Sequence, residues 1–107
     1  MTLLKGTLDV LVLKALSWTP LHGFEITSWL EQRSEGSLSV DDAALFQALH
    51  RMEERGLITA DWGITENNRR ARYYSLTPQG RGHLRAEAAA LTQYARTVTT
   101  ILAAKNA

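Results

Sequence analysis

Arg69, Arg70 and Arg72 fall within four residues of one another, beside Tyr73 and Tyr74, and form the densest cationic cluster in the chain. Guanidinium groups at that spacing suit phosphate oxygens or the negative potential of a narrow minor groove. The plainer reading is a charged edge strand that resists aggregation. Arg70 and Arg72 could also pair with a nearby Glu or Asp. A second candidate set is Ala43, Phe46, Gln47, His50 and Arg51. At helical spacing these lie opposite or beside an apolar stripe of Leu45, Leu49 and Met52. Gln47 carries the donor and acceptor that match adenine, Arg51 the donors that suit guanine or phosphate, and small Ala43 and Ala44 allow close approach. The bland alternative is a solvated helix face. Asp41 and Asp42 would repel phosphates, but they also favour the positive end of a helix dipole.

Other chemistries find little support. The chain has no cysteine, so disulfides, thiolate metal sites and cysteine nucleophiles are out. His22, His50 and His83 are too scattered for a recognised metal spacing; His22, just before Gly23, reads as a helix cap or a turn residue. Asp41/Asp42 and Glu53/Glu54 are adjacent pairs, and sequence neighbours on a helix do not converge on one substrate. There is no glycine-rich phosphate loop and no nucleophile elbow. The expectation is a protein with no catalytic site, no metal and no cofactor. Trp18, Trp29 and Trp62 read as core or interface anchors, with Trp29 or Trp62 partly exposed.

The elements that must position these groups follow from the hydrophobic periods. Apolar residues from Leu3 to Trp18 have helical spacing on nearly every face, so that helix must be covered on more than one side, which hints at a partner subunit. Thr19-Pro20 ends it. A second helix spans about Gly23 to Arg33, with Ile26, Trp29 and Leu30 on one face and Gly36 as a stop. A third runs from about Asp41 to Arg55, with Ser39 and Asp42 as a capping-box variant and Gly56 closing it. The period then changes to two. Ile58, Ala60, Trp62 and Ile64 alternate with polar or small residues, Arg70, Arg72, Tyr74 and Leu76 do so on the return, and Glu66-Asn67-Asn68-Arg69 makes a hairpin turn. Thr77-Pro78 opens a last helix to about Lys105. Its Leu84, Leu91 and Val98 recur every seven residues with Ala88, Ala95 and Leu102 between them, a narrow seam suited to another helix.

One domain is the reading for 107 residues, 45% of them hydrophobic, which suffices for a single modest core. The net charge of +1 hides an asymmetry: residues 1–66 hold five Lys/Arg against ten Asp/Glu, and residues 67–107 hold seven against one. Such a split points weakly to a polyanionic partner. Asp9 and Lys14 interrupt the apolar start, so no signal-peptide core forms, and no stretch approaches the roughly 20 apolar residues of a membrane span. A soluble cytoplasmic chain with no membrane partner is expected.

Helix, helix, helix, hairpin, long helix is the order of a winged helix-turn-helix: mainly α, with a small β-hairpin and a long C-terminal dimerisation helix. Four segments in register carry a resemblance. They are Leu4-Lys5-Gly6-Thr7-Leu8-Asp9, Leu21-His22-Gly23-Phe24-Glu25-Ile26, the run from Leu45 to Ile58, and the run from Asn68 to Gly80. Together they resemble the short form of the PadR family of bacterial transcriptional regulators, over almost the whole chain. The resemblance implies a winged helix DNA-binding domain, dimerisation through the last helix with help from the first, and usually repression. Two positions depart from the family. Phe46-Gln47 stands where Tyr-Pro is typical, losing a hydroxyl that could bond a phosphate. Leu91 stands near a position that often holds Trp, which counts against a flat aromatic effector pocket at the dimer interface.

The expectation is therefore a DNA-binding domain at residues 1–77 and a dimerisation helix at 78–107. Ala43, Phe46, Gln47, His50, Arg51, Arg69, Arg70 and Arg72 would meet double-stranded DNA. Leu3, Leu4, Leu8, Leu84, Ala88, Leu91, Ala95, Val98 and Leu102 would form a homodimer interface. Such a dimer would repress from a pseudo-palindromic operator with half-sites about one helical turn apart, and a small-molecule effector could relieve it. The rival is a winged-helix protein-interaction module that has lost DNA binding.

Overall fold

The computed structural model describes residues 1–4 and 6–106, so Lys5 of the first resembling segment lies outside the described residues. The chain order is α1 (Thr7–Ala15), β1 (Leu21–His22), α2 (Gly23–Arg33), α3 (Asp42–Glu54), β2 (Ile58–Ile64), β3 (Arg70–Leu76) and α4 (Pro78–Leu102).

α1 is shorter than its apolar period. Gly6, at φ +87°, turns the chain into the helix through a left-handed conformation that glycine adopts without strain, and Leu16 caps the other end. Trp18 therefore lies beyond the helix. It is 70% exposed rather than in the core, with the Lys14 ammonium 5.3 Å from its ring centroid. The all-round apolar character of α1 has its cause within one chain. α1 packs against α2, α3 and α4, burying Val12, Leu13 and Ala15, so a partner subunit is not needed to explain it.

α2 occupies the span its period predicts. His22 caps it: its Nδ1 accepts from the Glu25 N–H at 3.4 Å, while Glu25 Oε1 accepts from the His22 N–H at 3.1 Å, a reciprocal capping box. α3 is capped by Asp41, whose Oδ1 accepts from the Ala44 N–H at 2.9 Å; the expected Ser39 box does not form, because the helix begins at Asp42. Leu45, Ala48, Leu49 and Met52 are its buried stripe. At the far end Gly56 takes φ +75°, and the Leu57 N–H reaches back to the Met52 carbonyl at 2.9 Å.

β2 and β3 pair antiparallel from Ile58↔Leu76 out to Ile64↔Arg70, and Asn68 at φ +60° makes the turn. A third strand, β1, adds Leu21↔Tyr74 and His22↔Tyr73 on the other edge of β3, giving the order β1-β3-β2. Two residues are too few to show a period, so β1 is invisible in the sequence. Burial along the hairpin is lopsided. Ile58 and Tyr74 at its base join the core, whereas Trp62 and Ile64 farther out are exposed.

α4 is rooted on the β2 start. Thr77 Oγ1 accepts from the Gly80 N–H at 2.9 Å and lies 2.8 and 3.0 Å from the Gly56 and Leu57 carbonyls, to either of which it can donate. Gly80 is buried against Leu57, and Leu84 packs on the core. Beyond Leu91 every side chain of the helix is exposed, including Tyr94, Ile101 and Leu102. Among the described residues, no helix is long and apolar enough to cross a membrane.

Candidate nucleic-acid interface

Helix geometry sorts the exposed side of α3 into a ridge and two flanks. Ala43, Gln47 and His50 form the ridge, all exposed, directly opposite the buried stripe. Phe46 and Glu53, seven residues apart, share the flank that faces the hairpin. Arg51 lies on the other flank, towards α1.

Both flanks are tied down by ion pairs to other elements. Arg51 Nη2 stands 2.8 Å from Asp9 Oδ1 of α1, and Arg72 Nη2 stands 3.1 Å from Glu53 Oε2. These pairs hold α3 between the first helix and the hairpin, although exposed pairs of this kind contribute only about 0.2–1 kcal/mol each. On the ridge, His50 Nε2 sits 3.1 Å from Glu54 Oε1, one turn along. Residue types alone leave open a carboxylate partner for Arg72, and the structure names Glu53. Helical spacing alone presents Arg51 as a free reader, and the structure holds it on Asp9.

The hairpin places its cations differently. Arg70 lies with its guanidinium carbon 4.6 Å from the Trp62 ring centroid, a cation–π stack that covers part of an exposed indole. Arg69 follows the turn and is exposed. Gly63 is required beneath Tyr73, since a Cβ there would meet the ring at 2.7 Å. Tyr74, on the inward face, is buried, and that burial raises its hydroxyl above the ordinary 10.0; Arg72 partly opposes the shift and Glu53 adds to it.

Between the start of α2, Phe46 of α3 and the hairpin runs an open groove of about 730 Å³. Phe24, Phe46 and Trp62 line it with half or more of their surface exposed, and Arg69, Arg70 and Arg72 border it. No sequence pattern brings these three aromatics together, because they come from three elements. The one local clue is Gly23: a Cβ there would stand 3.0 Å from the Phe46 ring, so a glycine lets α3 lean on the start of α2.

A sequence profile of the transcriptional regulator PadR-like family matches residues 12–86, well over half of the chain. The chain belongs to this family. A transcriptional regulator of Mycobacterium tuberculosis is 35% identical over 79 residues, covering 73% of this chain and 69% of that one. A PadR-like regulator from Bacillus cereus superimposes with a TM-score of 0.81 at 22% identity, covering 94% of this chain and 96% of that one. Bacillus subtilis PadR, in complex with operator DNA, matches with a TM-score of 0.66 at 24% identity, covering 74% of this chain and 46% of that one. The winged-helix architecture of PadR proteins is thus the fold here, with β1 completing the sheet and α4 as its long C-terminal helix. The family is one of transcriptional regulators, not enzymes.

The residues expected at an interface with a second chain divide into two groups. Leu3, Leu8 and Leu84 are partly buried against the core of their own chain. Leu4 is 65% exposed, and Ala95, Val98 and Leu102 are exposed along α4, with Ala88 and Leu91 at intermediate exposure. Tyr94 and Ile101, which the seven-residue seam does not include, add to the same bare stretch of helix.

Proposed function

We propose that this PadR-like protein is a homodimeric repressor that binds duplex DNA in the cytoplasm and controls transcription by covering a promoter. Residues 1–77 supply the DNA-binding unit and residues 78–107 the dimerisation helix. The observation that carries the reading is an exposed α3 ridge set beside an arginine-bearing hairpin, in a chain of a regulator family. Ala43, Phe46, Gln47 and His50 enter a major groove, and Arg69 and Arg70 reach the flanking backbone or minor groove. Arg51 and Arg72 contribute once they exchange Asp9 and Glu53 for phosphate. The Bacillus subtilis relative captured on operator DNA supports duplex DNA as the partner.

Dimerisation rests on α4. Apolar Val98, Ile101 and Leu102, with Tyr94, project from a helix whose outer half is bare in the single chain. A seam of leucine, valine and alanine is what a second copy of the same helix would cover. The two readers would then meet successive major grooves, about one helical turn apart on a pseudo-palindromic site. A small-molecule effector would act near this interface by changing the spacing of the readers, and Tyr94, one turn from Leu91, supplies an aromatic ring there.

Fluorescence anisotropy of the purified protein against duplexes selected from a random pool tests the reading. Binding should weaken steeply with salt, and the selected sites should be two-fold symmetric. A second reading, a protein-interaction module that has lost DNA binding, is favoured by one observation: three basic side chains of the candidate face already have carboxylate partners. That reading gains if no duplex binds at low salt.

A further inference from the structure

We infer that α3 reads A·T base pairs, with Phe46 and Ala43 packing on a thymine methyl and Gln47 pairing with adenine. This deepens the proposed function and rests on α3 entering a major groove. A helix in the major groove reads bases mainly from its N-terminal residues. In the first two turns of α3 the exposed residues besides Asp42, which the helix dipole favours, are Ala43, Phe46 and Gln47. Two of the three are apolar. The only apolar group on the floor of the major groove is the C5 methyl of thymine, which alanine and phenylalanine are suited to contact.

Phe46 is also held in a way that favours such a contact. Its ring tip rests on Gly23, with the ideal Cβ position 3.0 and 3.4 Å from two ring carbons, and half of the side chain stays exposed. A ring supported on one side and open on the other loses little freedom on binding. Gln47, the next residue in the chain and on the ridge beside that flank, carries the amide that pairs bidentately with adenine N6 and N7. An apolar contact and an amide side by side suit neighbouring thymine and adenine.

The charges on α3 argue against the alternative. Guanine is most often read by a bidentate Arg or Lys. Arg51 is the one such residue within α3, which ends at Glu54; its Nη2 is 2.8 Å from Asp9 on the flank towards α1, a turn beyond the N-terminal readers, where a phosphate is the anion it would exchange for Asp9. His50 on the ridge faces Glu54 at 3.1 Å. Of the carboxylates that could accept from cytosine, Asp41 already accepts from the Ala44 N–H as the helix cap, and Glu54 is engaged by His50. Asp42 lies in the first turn, on the flank of Phe46, where the helix dipole favours it.

The test removes one methyl at a time. Symmetric duplexes selected by the full-length protein are remade with each thymine replaced by deoxyuridine, which changes nothing but the methyl. Affinity is then measured by anisotropy for the wild type and for Phe46→Ala and Phe46→Leu. At about 0.8 kcal/mol per buried methyl-sized group, loss at one half-site should weaken wild-type binding about four-fold, and at both half-sites about fifteen-fold. Phe46→Ala should lose most of this methyl sensitivity, keeping only the smaller part that Ala43 supplies. Equal wild-type binding to every deoxyuridine duplex overturns the inference and leaves DNA binding intact; so does selection of G·C pairs under α3. Undiminished methyl sensitivity in both Phe46 variants removes Phe46 from the reading. If the protein binds no duplex at low salt, the proposed function itself fails. The wild-type series needs no variant to fold.

Discussion

Gly80 and Gly82 sit two residues apart in the first turns of α4, and changing each to alanine should shift stability in opposite directions. Helix propensity alone gives both substitutions the same sign, since alanine is favoured over glycine in a helix by about 1 kcal/mol. The surroundings differ. A Cβ at Gly82 meets nothing within 4 Å, so Gly82→Ala should stabilise the protein by roughly 0.5–1 kcal/mol. A Cβ at Gly80 would stand 2.0 Å from the Leu57 carbonyl oxygen and 2.9 Å from Leu76 Cδ1. Ordinary contact begins at 3.4 Å, so α4 would have to lift by more than 1 Å. That shift breaks the close fit of Thr77 Oγ1 to the Leu57 carbonyl, a hydrogen bond contributing about 1 kcal/mol, and adds overpacking strain of about 1–3 kcal/mol. After subtracting the propensity gain, Gly80→Ala should destabilise by about 1–3 kcal/mol, lowering Tm by roughly 5–15 °C. Thermal unfolding followed by far-UV circular dichroism, at one fixed protein concentration, reads both changes. If Gly80→Ala matched Gly82→Ala in sign, the docking of α4 on the β2 start would be wrong, and so would the direction in which α4 leaves the domain.

Replacing Arg69 and Arg70 with alanine should weaken duplex binding. The slope of log affinity against log salt should fall by about 1 for each phosphate no longer neutralised, measured by anisotropy between low and physiological salt. Ile101→Glu with Leu102→Glu should shift the protein to monomer in sedimentation velocity, with little loss of helical signal, because both side chains are exposed in the single chain. Tyr74 gives a pH dependence. Its hydroxyl titrates above 10.0 in the folded chain, so its contribution to stability is full below pH 10.0 and is lost as pH rises through the higher folded value. Urea titrations should show stability declining above about pH 10, and less steeply in Tyr74→Phe.

Much of this fold is legible in the sequence because its signals are local. Gly56, Thr77-Pro78 and the change of period at Ile58 mark where helices and strands meet, and α2 has its predicted limits. What is missed depends on contacts between distant elements. β1 exists only because Leu21 and His22 find the free edge of β3. Trp18 is left in solvent because α1 ends at its Leu16 cap, which apolar spacing alone does not reveal. At the candidate site, composition names the arginines but not their partners. Asp9 and Glu53 come from elements far along the chain, and only the fold sets them beside Arg51 and Arg72. The meeting of Phe24, Phe46 and Trp62 in one groove is likewise a product of packing, with Gly23 as its single trace in the sequence.

Whether two copies of this chain, joined along α4, present two α3 ridges to one duplex is tested most directly by light scattering after size exclusion. The protein is run alone and with a selected duplex at low salt. The expected result is a dimer of about 24 kDa, twice the 11.9 kDa chain, and a complex of two chains per duplex. A monomer that leaves the duplex unbound would contradict it.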